Sequence, residues 1–425
     1  MFKADAFFNP YVAAGAKRLD AVISLTYTSD AVRSSAAMPI LVGFLVDDSG
    51  SMTGDKLTEA KRAVRKGIEM LPETASFFVI AFNEFAKLVV RVGQATAENK
   101  ASAIRSIEGI KAAGSTGIST ALALAREQVM NFGACVACMY LQTDGDNGDA
   151  DKDRLPQVLE SCKGIFQCEA RGIGTDWKPA ELRTIASALL GTADAITDPA
   201  GLEADYADFL SRTLSKSAAN AVMRLRMPGV VKLATLRQMS PDILDLMPLG
   251  RKIDDRTFEV PLGAWGDESR DYQIAFELPP NAVGDKILLC RSTVVVPGAG
   301  TGGDAIAECP SIVAEWSDSE EQTARISKEV AHYTGQSELS NAISDGLKAK
   351  AEGNVDEATR LLGRAVQLAA SSGNDEVTRR LQKVVDVQDA QAGTVRLKRS
   401  DKAADMDLEM GGTRTVRRRA AAPSA

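Results

Sequence analysis

Between residues 37 and 216 the apolar positions fall into short continuous runs, "ILVGFLV", "SFFVIAF", "CVACMYLQ" and "IFQCEARGIG", separated by stretches such as "GISTALALAREQVMNF" and "DRLPQVLESCKG". The separating stretches repeat their apolar residues at helical spacing. Buried strands alternating with helices predict a doubly wound α/β domain, a mostly parallel sheet with helices on both faces. From 217 to 318 the pattern changes. Runs such as "NAVMRLRMP", "RTFEVPLG", "RDYQIAFELPP", "KILLCRSTVVVPG" and "SIVAEWS" are bounded by Pro and Gly, the spacing of a β-sandwich.

Residues 1–36 contain "AVISLTYTS", a strand-like run with no helix after it. It is expected to pair with the later sheet, which makes 37–216 an insertion into the sandwich. Residues 319–390 read as helical, with "SELSNAISDGLKAKAEG" and "NVDEATRLLGRAVQLAASSG" forming an antiparallel hairpin broken at Gly353. Residues 391–425 lack a core-forming pattern and end in "RRRAAAPSA", so they are expected to be a flexible, disordered basic tail.

Composition adds a compartment and a charge distribution. With 45% hydrophobic and 25% charged residues in 425, the chain is ordinary for a soluble, multidomain protein. No apolar run is long enough for a membrane span, and the first residues lack the apolar core of a secretory signal, so a cytoplasmic location is expected. Six cysteines are then expected to be reduced thiols; the CxxC of Cys135 and Cys138 lies in a strand-like run where core packing is the simpler role. The whole chain carries −7. Residues 393–425 hold eight basic and four acidic residues, so a body of net −11 bears a tail of net +4.

The chemistry gathers at strand ends. "DDSGS", at 47–51, follows "ILVGFLV" and offers Asp47, Ser49 and Ser51 at alternate positions. "AAGSTGIST" offers Thr116 before a helix, and "LQTDGDNGD" offers Asp144 after a strand. Loops at the carboxyl ends of parallel strands converge on ligands, and an oxygen-only set of carboxylates and hydroxyls suits a hard divalent cation. The rival assignments are weaker. Asp149, Asp151, Asp153 and Glu160 have calcium-loop spacing, but Arg154 and Pro156 break that loop. "GAGTGG" is followed by another strand rather than a helix, which indicates a hairpin. His332 is the only histidine, which removes histidine-based nucleophilic mechanisms, and no Walker lysine is present.

At these residues the chain resembles a von Willebrand factor type A domain. The metal-ion-dependent adhesion site of that family uses DxSxS, a Thr in a second loop and an Asp in a third. The resemblance implies that Asp47, Ser49, Ser51, Thr116 and Asp144 bind Mg2+, or Mn2+ or Ca2+, with a partner's Asp or Glu carboxylate as a further ligand. It also implies a non-enzymatic interaction module. The arrangement of "GAWGDESRDY", "VAHYTGQSEL", "LGRAVQLAASSGN", "VVDVQDAQAGTVRLK" and the terminal "TRTVR" resembles bacterial members associated with serine/threonine kinases and forkhead-associated (FHA) domains. Thr413 and Thr415 are accordingly the candidate phosphorylation sites, because phosphate would add charge and acceptor oxygens to a tail expected to be accessible. Two other classes stay open: an adaptor subunit of an AAA ATPase or chelatase-type machine, and an RNA-binding scaffold. Clustered arginines without aromatic interleaving are weak evidence for nucleic acid.

Overall fold

The computed structural model describes residues 1–29, 38–145, 147–196, 201–300, 303–399 and 402–417. The chain divides into two compact units. One contains Ser29–Ala221 and Leu262–Gly266; the other contains Met1–Thr28, Val222–Pro261 and the residues from Asp267 onward.

The first unit is built on a six-stranded sheet. Its strands lie in the order Ala86–Gln94, Ala75–Phe82, Ile40–Asp47, Val136–Thr143, Gln167–Ile173, Ala193–Ile196. Ile40–Asp47 is central and pairs in parallel with both neighbours. That placement accounts for its composition: a strand covered on both faces has no polar side, and Leu41 to Val46 are buried throughout. The helix Asp55–Met70 buries Leu57, Ala60, Ala63, Val64 and Ile68, spaced three and four residues apart along one face. Helices Ile118–Phe132 and Leu202–Leu214 bury apolar stripes in the same way.

One strand departs from the parallel expectation. Ala86–Gln94 runs antiparallel to Ala75–Phe82. The three residues between them close on themselves: the Asn83 N–H donates to the Phe85 carbonyl at 3.0 Å, and the Phe85 N–H donates to the Asn83 side chain at 3.1 Å. So short a link permits a hairpin and excludes a helical crossover.

The second unit contains two large sheets. In the first, Phe2–Phe8 pairs with Arg18–Tyr27, which pairs antiparallel with Glu268–Glu277, register Tyr27 to Glu268 through Arg18 to Glu277. Lys232–Ser240 and Leu244–Asp245 complete it. The N-terminal segment therefore supplies three strands, including Tyr11–Ala13, where the sequence pattern marked one. The second sheet runs through Ala218–Arg226, Thr257–Trp265, Lys286–Gly300 and Ile312–Ser317. Gly300 pairs antiparallel with Gly303, so "GAGTGG" lies between two paired strands and not between a strand and a helix. Helices Lys328–Ala351 and Val355–Ser372 form the expected pair, separated at Gly353, and Asp375–Val384 adds a third. Among the described residues no helix is long and apolar enough to cross a membrane.

The expectation of a flexible tail from 391 is corrected. Thr394–Leu397 pairs with Val385–Asp389, and Lys402–Gly411 is a helix that buries Met406, Leu408 and Met410. Leu408 and Val395 join one core with Leu339, Ile343, Leu362 and Leu381. Alternate apolar residues in a short, charged segment are silent locally and become a core face only against those helices. Residues 418–425, with the terminal arginine pair and "AAAPSA", lie outside the described residues. Leu408→Ala is expected to destabilise this unit by about 2–5 kcal/mol, as for a fully buried leucine. Chemical denaturation checks it, and a change near zero would restore the tail to a passive role.

A carboxylate and hydroxyl cluster at the strand ends

Asp47 is the last residue of the central strand, and Asp144 directly follows the neighbouring strand Val136–Thr143. Both carboxylates are fully buried. Asp47 Oδ1 accepts the Ser49 N–H at 2.8 Å, and Asp47 Oδ2 accepts the hydroxyl of Thr143. Ser49 Oγ lies 3.1 Å from Ser51 Oγ, which in turn donates to Asp144 Oδ1 at 2.7 Å. Four of the five residues expected at the site are thus linked by hydrogen bonds, Asp47 through the Ser49 N–H and the others through their oxygens. Thr116, the fifth, is 5% exposed in the loop before helix Ile118–Phe132. A Cβ on Gly145 would lie 2.8 Å from Thr116 Oγ1 and 3.2 Å from Ser51 Oγ, so the absence of a side chain there keeps the hydroxyls of two loops facing one space.

The loops are tied to one another by backbone. The Asp48 N–H donates to the Phe82 carbonyl at 2.7 Å, Gly50 N–H to Gly114 at 2.9 Å, and Ala113 N–H to Asp48 at 2.8 Å. The Gly148 N–H donates to the Thr116 carbonyl at 2.8 Å. Gly114 has φ +79°, and a Cβ there would collide with the Glu84 carboxylate, whose Oε2 accepts the Ser115 N–H at 2.7 Å. A glycine at 114 satisfies both the left-handed backbone and that close approach.

Charge in the cluster is unevenly compensated. Lys56, on the helix after "DDSGS", places Nζ 2.5 Å from Asp144 Oδ2 and 3.4 Å from Asp176. Lys87 lies 3.1 Å from Asp48. Asp47 has hydrogen-bond donors and no cation of its own among these pairs. Burial pushes its carboxyl up to about 6, the bonds from Ser49 and Thr143 pull it down, and the Asp144 charge adds to the rise.

The rival acidic set does not converge. Asp151 accepts the Ser119 N–H at 2.9 Å and the Ser119 hydroxyl, so it satisfies the start of helix Ile118–Phe132, while Asp149 pairs with Lys152 on the surface. Among the described residues no group of three or more His, Cys, Asp or Glu side chains could hold a metal. All six cysteines are buried free thiols, Cys135 and Cys138 included.

Lys56, Thr143 and Glu84 were not singled out by sequence. Thr143 immediately precedes Asp144 and ends a strand buried along its whole length, so its hydroxyl had to find a partner inside. Lys56 and Glu84 reach the cluster only through folding.

The chain and its fold have known relatives. Residues 42–202 match the von Willebrand factor type A domain, and residues 367–412 match the von Willebrand factor type A C-terminal domain. The solved structure of a von Willebrand factor type A protein from Catenulispora acidiphila is 35% identical, with TM-score 0.89, covering 98% of this chain and 97% of that one. The chain belongs to the von Willebrand factor type A family. The ArnB paralog VWA2 from Sulfolobus acidocaldarius shares the fold at 16% identity, with TM-score 0.62 over 98% of this chain and 99% of that one. An uncharacterized protein from Synechocystis is 29% identical over 240 residues, 55% of this chain and 56% of its own length. The present chain thus spans little more than half of that relative.

The other candidate residues, Thr413 and Thr415, lie in the second unit and are half-buried. The Thr413 carbonyl accepts the Ile243 N–H at 2.9 Å, and the Thr415 hydroxyl donates to the carbonyls of Met239 and Pro241, the latter at 3.1 Å. They are docked, contrary to the expectation of an accessible tail.

With cation withheld by a chelator, Asp47→Asn is expected to stabilise this von Willebrand factor type A domain at pH 8 by on the order of 1–3 kcal/mol in urea denaturation. The native carboxyl holds its proton to about pH 6, whereas the unfolded chain releases it near the ordinary value. The native state therefore loses stability as pH rises through that window, and the advantage of Asn should vanish below the unfolded value. A pH-independent advantage, or a loss at pH 8, contradicts this account of Asp47.

Proposed function

We propose that the chain is a non-enzymatic, cation-dependent protein-interaction module. Asp47, Ser49, Ser51, Thr116 and Asp144 would hold a divalent cation, most simply Mg2+. The observation that carries this reading is the oxygen cluster in which Ser51 Oγ links Ser49 Oγ to Asp144 Oδ1 at the ends of adjacent strands. The donor set fits the ion: every atom offered is a carboxylate or hydroxyl oxygen, and Gly145 leaves space against two of the hydroxyls. When bound, the cation supplies a coordination position for an Asp or Glu carboxylate of a protein partner. The residues of this chain orient the oxygens and fix the loops, with Asp47, Ser49, Thr116 and Asp144 buried and Ser51 on the exposed side.

The partner assembly we infer is a serine/threonine kinase and FHA-domain system, with Thr413 or Thr415 as the phosphorylated residue. Arg414 and Arg417 flank these threonines, and a phosphothreonine offers a reader strong charge-assisted hydrogen bonds. Calorimetry of peptides spanning 406–422, unmodified or phosphorylated at one threonine, against a cognate FHA domain tests this part; equal affinity for all of them removes it.

Magnesium tests the cation site. A ligand binding only the native state at a hundred times its Kd stabilises by about 2.7 kcal/mol, so excess Mg2+ should raise Tm in calorimetric melting. Ser51→Ala, at an exposed position of the short 3-10 helix Gly50–Met52, should fold and lose most of the increment. An unchanged magnesium response in both Ser51→Ala and Asp47→Ala overturns the site.

A further inference from the structure

Residues 413–417 are held by polar contacts from several segments of the second unit. The Thr415 N–H donates to the Pro241 carbonyl at 3.0 Å, and its hydroxyl to the carbonyls of Met239 and Pro241. Asn374 Nδ2 donates to the Arg414 carbonyl at 2.9 Å, and His332 Nε2 lies 2.7 Å from the Val416 carbonyl. Arg417 Nε donates to Asp271 Oδ2 at 3.0 Å, and Nη2 to Ser24 Oγ at 2.7 Å. Asp271 is 3% exposed and also accepts the hydroxyl of Tyr333, itself 1% exposed.

This is the anatomy of a peptide site. A buried carboxylate, oriented by a buried phenol, receives a guanidinium, while carbonyls and an amide read the backbone and one hydroxyl. The preceding helix is anchored differently, by Met406, Leu408 and Met410 in the core. Hydrogen bonds contribute about 0.5–1.5 kcal/mol each, more where charged, so a segment held chiefly by them can detach while the helix stays.

We propose that Asp271, Ser24, Tyr333 and the carbonyls of Met239 and Pro241 form a recognition site for an extended Thr-Val-Arg peptide, filled in the isolated chain by its own residues 415–417. The occupant is exchangeable: the same peptide supplied in trans competes with the strap. The hydroxyl of Thr415 acts as donor to two carbonyls, and a phosphate at that atom presents only acceptor oxygens at neutral pH. Phosphorylation of Thr415 therefore expels the strap. That consequence rests on the kinase reading above, but synthetic phosphopeptide tests it without a kinase or an FHA domain.

The experiment uses the full chain carrying Arg417→Ala, which weakens the internal occupant, titrated with a fluorescent peptide of residues 411–419 and followed by anisotropy. The native peptide should bind about tenfold more tightly than peptides with Arg417→Ala or phosphothreonine at 415, and about tenfold more weakly to the unaltered chain, whose strap competes. Asp271→Asn, added to the Arg417→Ala chain, should remove the preference for arginine. Equal binding of all three peptides, or no binding to a folded Arg417→Ala chain, overturns the proposal. Hydrogen exchange on the unaltered chain keeps it falsifiable if that variant unfolds: excess native peptide should accelerate exchange of the Thr415 amide, and no acceleration overturns the exchange.

Discussion

Two fully buried carboxylates, Asp144 bonded to the Ser51 hydroxyl, which meets that of Ser49, and Asp47 bonded to the Ser49 N–H, set the terms for the whole upper edge of the α/β unit. An ionised carboxylate out of water must be given donors or positive charge, or it takes up a proton. Asp144 is given Ser51 and Lys56; Asp47 is given Ser49 N–H and Thr143, which are neutral, and its carboxyl rises accordingly. Cross-loop backbone bonds hold the loop at 47–51 against its neighbours, with glycine at 114, where a side chain would meet Glu84, and at 145, where one would meet Thr116 and Ser51.

That edge was legible because its chemistry is local to strand ends. "DDSGS", "GST" and "TDG" each follow or precede a strong periodic run, and parallel strands fix which ends meet. The compensating groups were not legible. Lys56 has the helical position of a solvent-facing residue, and nothing between it and Asp144, 88 positions later, links them. Glu84 sits in a hairpin tip whose role is set by the loop carrying Ser115.

The tail was misread for a complementary reason. Its charge and glycines suggest solvation, and Met406, Leu408 and Met410 are too few to define a helix face alone. Leu408 acquires meaning from Ile343, Leu362 and Leu381, residues in three helices that precede it. The pairing of Arg18–Tyr27 with Glu268–Glu277, by contrast, was legible across some 250 residues because a strand-like run with no helix after it must find its hydrogen-bonding partners in a later sheet.

Two of the cations docked on nearly or fully buried carboxylates among the described residues, Lys56 on Asp144 and Arg417 on Asp271, are not equivalent. Lys56 also touches Asp176, whose side chain is 66% exposed, so its charge has a solvated carboxylate within reach when the field at Asp144 changes. Arg417 is fixed by the fork of its guanidinium across Asp271 and Ser24, a geometry that a lysine's point charge would not reproduce. In the first pair the ammonium can shift toward Asp176 without being left unpaired. The second discriminates by shape, and leaving it strands Asp271 unless another guanidinium takes its place, which favours exchange of like for like over simple release.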